Sequence, residues 1–119
     1  MGKTGDRASG DEATLKAISD HVAGSEGLRI DLAAVMDATM AAELRDVLTE
    51  AIASDKPVRV SAGPVEQIST GCVQMLLAGA KSAAAINNTF FVSDQSDAFI
   101  AALDDLGLCE TREDWIKLK

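Results

Sequence analysis

The side chains best placed to do chemistry gather in one stretch, I-S-T-G-C-V-Q-M-L-L at residues 68–77, where Ser69, Thr70 and Cys72 stand at the mouth of an apolar run. Hydroxyls at such a place suit a helix start, because a serine or threonine oxygen can accept a hydrogen bond from the free N–H groups of the first turn. Ser69 and Thr70 are both candidates for that cap. Catalysis has far less to draw on. His21 is the single histidine, so a Ser-His-Asp or Cys-His arrangement would rest on that one residue, and the chain reads as no enzyme. Cys72 and Cys109 show no C-x-x-C spacing and read as reduced thiols in apolar surroundings. With one imidazole and no cysteine pair, neither a metal site nor a cofactor is expected. The G-K-T at residues 2–4 lacks the upstream glycine and the preceding strand of a phosphate loop.

These residues need elements to position them. From Val65 a polar turn opens into a long helix in which Val73, Leu76, Leu77, Ala80 and Ala84 recur at helical spacing and only Lys81 is charged. A helix so apolar must be largely buried, which fixes its first turn as a platform. Before it, Leu28, Ile30 and Leu32 alternate with Arg29 and Asp31, the period of a one-faced or edge strand. Asp37 or Thr39 then starts a helix with Met40, Leu44, Val47, Leu48 and Ala51 on one face and Glu43, Asp46 and Glu50 on the other. Val58 and Val60 form a short strand running into S-A-G-P. After the central helix, Asn87 and Asn88 turn the chain into T-F-F-V-S, a third strand whose aromatic and β-branched content predicts an internal position. Ser96 caps a further helix carrying Phe99, Ala102, Leu103 and Leu106 and closed by Gly107; the tail beyond it can add a turn with Trp115 and Ile116 docked on the core. Asp94, Ser96 and Asp97 are turn and cap residues by type. Strand ends in a parallel sheet face one way, so they can also extend the polar rim at Ser69.

At the N-terminus, residues 1–10 are glycine-rich and polar and read as a flexible tail. Residues 11–26 form a separate helical segment in this reading, since Leu15, Ile18 and Val22 stand at i, i+3 and i+7 and Gly24 follows as a breaker. The remaining 27–119 make one α/β domain with a mixed, mostly parallel sheet and three to four packed helices. A net charge of −8 opposes binding to nucleic acid or to anionic membranes. No apolar run approaches the about 18 residues of a membrane span, and no apolar signal core precedes the domain, so a cytoplasmic protein is expected.

In that order of segments (valine-rich strand, short turn, I-S-T-G-C-V-Q-M-L-L, second strand, then S-D-A-F-I-A-A-L-D-D-L-G-L) the chain resembles the STAS domain of bacterial anti-sigma factor antagonists and sulfate transporter tails, over roughly residues 27–110. Thr and Gly in the turn and Gln in the helix look closest to the STAS proteins of chemotaxis systems and of lipid-asymmetry transporters. The resemblance implies a cytosolic protein–protein interaction module of a bacterial signalling pathway. Its partner, a kinase or chemotaxis component, would dock on Ile68, Ser69, Thr70, Gly71 and Cys72. The alternatives it carries are an accessory subunit of a transporter ATPase and a small-ligand or nucleotide-binding STAS domain. Monomer and homodimer are both compatible with it.

In the antagonists the turn carries D-S-S-G, whose second serine is phosphorylated by the partner kinase. Aligned on residues 73–77, Ser69 takes the place of the aspartate, Thr70 that of the first serine, Gly71 that of the phosphorylated serine and Cys72 that of the glycine. Shifted by one, Gly71 matches the glycine, Thr70 becomes the phosphoacceptor and Ile68 replaces the aspartate. Thr70 and Ser69 are therefore the possible phosphoacceptors the resemblance implies. In both alignments the acidic residue is missing, and Ser61 stands where many members carry an aspartate.

Overall fold

In the computed structural model, which describes residues 15–22 and 24–116, alternating valine, isoleucine and leucine build a four-stranded sheet. Its strands are β1 (Ala17–Val22), β2 (Ser25–Asp31), β4 (Val58–Ser61) and β6 (Phe90–Ser93), in the spatial order β1-β2-β4-β6. The β1–β2 pair is antiparallel, from Ala17 opposite Ile30 to Val22 opposite Ser25. The other two pairs are parallel, with Leu28, Val58 and Phe90 in one row and Ile30, Val60 and Val92 in the next. Two further strands of two residues each, β3 (Val35–Met36) and β5 (Gln67–Ile68), pair in parallel beside the main sheet.

The crossovers are helical. Asp37 caps a 3-10 turn at Ala38–Met40, its carboxylate accepting from Thr39 N at 3.0 Å, and α1 (Ala41–Ala53) follows. Leu44, Val47, Leu48, Ala51 and Ile52 form its buried face. α2 (Thr70–Ala85) buries Cys72, Val73, Leu76, Gly79 and Ala83, a stripe turned from the one its apolar spacing indicates: Leu77 and Ala80 are half-buried and Ala84 is exposed. The left-handed residue Asn87 (φ 57) ends α2. Asn87 N donates to Ala84 O at 3.1 Å and Asn88 N to Ala83 O at 2.8 Å, while the Asn88 amide reaches Lys56 O at 2.9 Å and ties this corner to the start of β4. α3 (Asp97–Asp105) closes in the same way at Gly107 (φ 77), with Leu108 N donating to Leu103 O at 2.9 Å. α4 (Cys109–Ile116) then packs on β6, and Trp115 meets the Phe90 ring edge-on at 6.2 Å between centroids.

Strand pleat sorts the sheet into two faces. Ile30, Val58, Val60 and Val92 join Leu44, Leu48, Val73, Leu76, Phe99 and Leu103 in the core. Arg29, Asp31, Arg59 and Ser61 alternate with them and so lie on the opposite face.

Four expectations change. The helical segment at 11–26 is a strand over residues 17–22: antiparallel pairing with β2 through the turn at Gly24 (φ 82) makes it part of the sheet. The i, i+3, i+7 spacing that indicated a helix is not one buried face, since Leu15 packs in the core, Val22 lies buried outside that core against Gly27, and Ile18 is 44% exposed. Of the two readings of β2, edge or one-faced, its interior position removes the edge and its burial, Ile30 inward and Asp31 exposed, keeps the one-faced strand, while β6, read as internal, is at the sheet's edge with α4 packed against it. Cys109 is exposed rather than set in apolar surroundings. The tail at 1–10, residues 11–14 of the helical segment and the docking of the Ile116 side chain lie outside the described residues.

Candidate functional site

The tip of α2 is built by three short segments that hold one another. Ser69 is the cap: its backbone is extended (φ −80, ψ 157) and its Oγ accepts from Cys72 N at 3.2 Å. Its own N–H donates to Met36 O at 2.8 Å, continuing the β3–β5 pairing, and Glu66 N and Gln67 N donate to Ala34 O at 2.7 and 3.0 Å. The Cys72 thiol donates to Asp37 O at 3.3 Å, which fixes the 37–41 turn against the first turn of α2. Ile68, Ser69, Thr70, Gly71 and Cys72 are thus brought together, in a graded way. Cys72 is buried, Ile68, Ser69 and Gly71 are half-buried, and Thr70 faces outward. Sequence reasoning left the cap open between Ser69 and Thr70; the extended backbone at Ser69 decides it.

A Cβ built on Gly71 would meet Ala41 Cβ at 3.8 Å and Ser69 Oγ at 3.9 Å, ordinary contact distances. Packing therefore does not impose glycine here. The Asp37–Ala41 turn escaped the sequence reading as part of this site, since Asp37 signalled only a helix start. Asp37, whose carbonyl meets the Cys72 thiol, and Glu66, whose N–H meets Ala34 O, are exposed in the segments that build the tip.

The second polar group lies at the ends of β4 and β6. Ser61 and Ser93 hydroxyls both donate to Asp94 Oδ2, at 3.4 and 3.2 Å, and Asp94 holds a left-handed backbone (φ 54). Ser96 turns inward: its hydroxyl donates to Val65 O at 2.6 Å and accepts from Phe99 N at 3.1 Å. Asp97 sits in the first turn of α3, where a carboxylate complements the helix dipole. Ser96 is therefore a cap that also ties α3 to the segment leading into β5, and Asp94 organises the serines of the strand ends.

The thiols differ in kind. Cys72 is sealed in the core, whereas Cys109 is exposed; partial loss of water around its sulfur on the α4 surface, followed by the neighbouring Glu113 and Asp104 carboxylates, pushes its thiol above the ordinary range. No cluster of three metal-ligating side chains occurs among the described residues, and none of their helices is long and apolar enough to cross a membrane.

A family model described as Mlab, STAS domain, matches residues 19–113, from within β1 to within α4. The chain belongs to the STAS domain family. A search of curated proteins gives no match. STAS domains are in general non-catalytic modules, of the anti-sigma factor antagonist and sulfate transporter-associated kind. The match reaches eight residues further towards the N-terminus than the segment order indicated, because β1 is a strand of the STAS sheet.

Proposed function

We propose that this STAS domain is a cytosolic interaction module that docks a kinase or another signalling protein on the tip of α2, with Thr70 as the residue that sets affinity. One observation carries the reading. Thr70 is the exposed first residue of a helix whose start is fixed on three sides by Ser69, Met36 and Asp37, so its hydroxyl is presented on a rigid platform. Of the two candidate phosphoacceptors Thr70 is the better one, because Ser69 is half-buried and occupied as the cap. Phosphorylation would join the γ-phosphoryl group of ATP to Thr70 Oγ1, release ADP and pass the hydroxyl proton to a base of the kinase.

Such a phosphate adds a charge of about −1.5 to −2 to a protein whose net charge is already −8. The helix dipole offers only ~0.3–1 kcal/mol in return at an exposed site. Repulsion and steric exclusion then alter partner affinity more than fold stability.

Affinity capture from native cell extract with wild type, Thr70→Ala and Thr70→Asp, read by mass spectrometry, tests this. A kinase or chemotaxis protein retained by wild type and Thr70→Ala but lost from Thr70→Asp is the expected result. Identical captures by all three proteins would sink the docking role of Thr70. A second reading, an accessory subunit of a transporter ATPase, is favoured by the Mlab description of the matching family model. It predicts permease and ATPase subunits in the captured set whatever stands at position 70.

A further inference from the structure

Away from the tip, α1 and α2 part along their outer shoulders and leave a groove of about 230 Å³. Leu48, Ile52 and Gly79 form its floor, and Met75 and Ile86 stand along the α2 side. Gly79 lets the two helices close together beneath it: a Cβ there would lie 3.3 Å from Leu48 Cδ1, a tight contact, and 3.6 Å from Ile52 Cδ1. Glycine in a helix interior disfavours the helix, so this close approach is kept against local propensity. Ile86, 48% exposed, adds further apolar surface to the lining.

The polar lining residues are few and all exposed: Arg45 and Thr49 from α1 and Ser82 from α2. Arg45 is the one charged side chain among the lining residues. Its described partner is its sequence neighbour Asp46, which approaches Nε and Nη2 at 3.3 and 3.2 Å with both side chains largely in solvent. So exposed a pair is weak and leaves N–H groups of the guanidinium fork for an incoming oxyanion.

An apolar cavity of about 150 Å³ already takes up benzene. A groove half as large again, apolar within and cationic at one lip, matches an aliphatic chain that ends in a carboxylate. We propose that the α1–α2 groove binds a small amphipathic carboxylate, its hydrocarbon on Leu48, Ile52 and Gly79 and its carboxylate on Arg45. The net charge of −8 opposes any anion at long range, but that field is screened within about 10 Å at 0.1 M salt. Attraction therefore has to come from Arg45 itself. The site is independent of Thr70 and of the docking reading.

Sodium octanoate, octanol and octylammonium are the probes, titrated into the isotopically labelled protein while amide and methyl NMR shifts are followed. Saturable shifts at Met75, Ala78, Gly79, Ser82 and Ile86 are expected with octanoate at millimolar concentration, with octanol weaker and octylammonium weaker still. Arg45→Gln should weaken octanoate roughly fivefold and leave octanol unchanged. Ser82→Leu, at an exposed position that leaves the core intact, should abolish binding of both. Lys81→Gln, on the same helix but outside the groove, should change neither. The proposal is overturned if no probe gives saturable shifts, if Ser82→Leu with an unchanged melting curve still binds octanoate, or if octylammonium binds as well as octanoate. Shifts at these residues that depend on protein concentration without any probe would overturn it too, in favour of a second copy of the chain on this face.

Discussion

Ser69 and Thr70 are adjacent hydroxyls with opposite assignments. Ser69 satisfies one of the open N–H groups of α2, and its own N–H is taken by Met36; Thr70 is exposed. Ser69→Ala should therefore cost about 1 kcal/mol, within the range of roughly 0.5–2 kcal/mol for lost caps. Thr70→Ala should stay within about 0.5 kcal/mol, as exposed positions away from special features do. Urea midpoints at unchanged slope measure both, and an equal loss in the two variants would contradict the division of labour. The alternatives here were legible in the sequence, because serine and threonine before an apolar run mark a helix start. What the sequence could not supply was the backbone angle that separates cap from first helical residue. That angle is set by pairing between β3 and β5, strands of two residues that carry no period to read.

Element by element, legibility followed how far local pattern agreed with tertiary pairing. β2, β4, α1 and α3 declared themselves because their apolar periods also face the core, except that Leu106, read onto the α3 face, is the C-cap and 43% exposed. β1 did not, because at a sheet edge its burial follows neither period: Ala17 and Asp20 are half-buried, Ile18, Ser19 and His21 exposed, Val22 buried. Beyond its antiparallel pairing with β2, it is held by charges that the order of residues does not bring together. Asp20 Oδ2 lies 3.0 Å from Arg29 Nη1 and 3.5 Å from Arg59 Nη2, and so bridges two arginines that stand opposite one another on β2 and β4. The His21 backbone N–H, and then Arg29 and Arg59, hold the Asp20 carboxyl below its usual range. A depressed carboxylate stabilises the fold above its unfolded pKa of about 3.9 and loses that contribution as pH falls through its folded value. Asp20→Asn should accordingly weaken β1 at neutral pH and flatten the acid limb of the stability profile below about pH 4. Faster amide exchange in residues 17–22 is the local readout. An unchanged acid limb would show that Asp20 contributes nothing to the attachment of β1.

At the scale of the molecule, the fold has two unlike edges, and their difference sets how it should unfold. β1 ends the sheet on one side, while on the other α4 packs on β6 through a set of contacts that span three elements. Trp115 is 6% exposed against Phe90, Arg112 Nε donates to Asp104 Oδ1 of α3 at 2.8 Å, and the Gln95 amide donates to Arg112 O at 2.9 Å. α4 has little amphipathic character to hold it by itself, since four of its eight residues are charged. Its order must come from those tertiary ties, and α4 should melt with the domain. The single tryptophan reports on this directly. Urea unfolding followed by Trp115 fluorescence and by far-UV circular dichroism should give coincident midpoints, as two-state behaviour requires. Trp115→Ala should lower stability by about 3–5 kcal/mol, a large part of the roughly 5–15 kcal/mol typical of a domain. A fluorescence transition that precedes the circular dichroism one, together with a loss below about 1 kcal/mol in the variant, would make α4 a detachable appendage. Coincident transitions with a large loss would instead make it an integral wall of the STAS domain, closing the β6 side of the sheet.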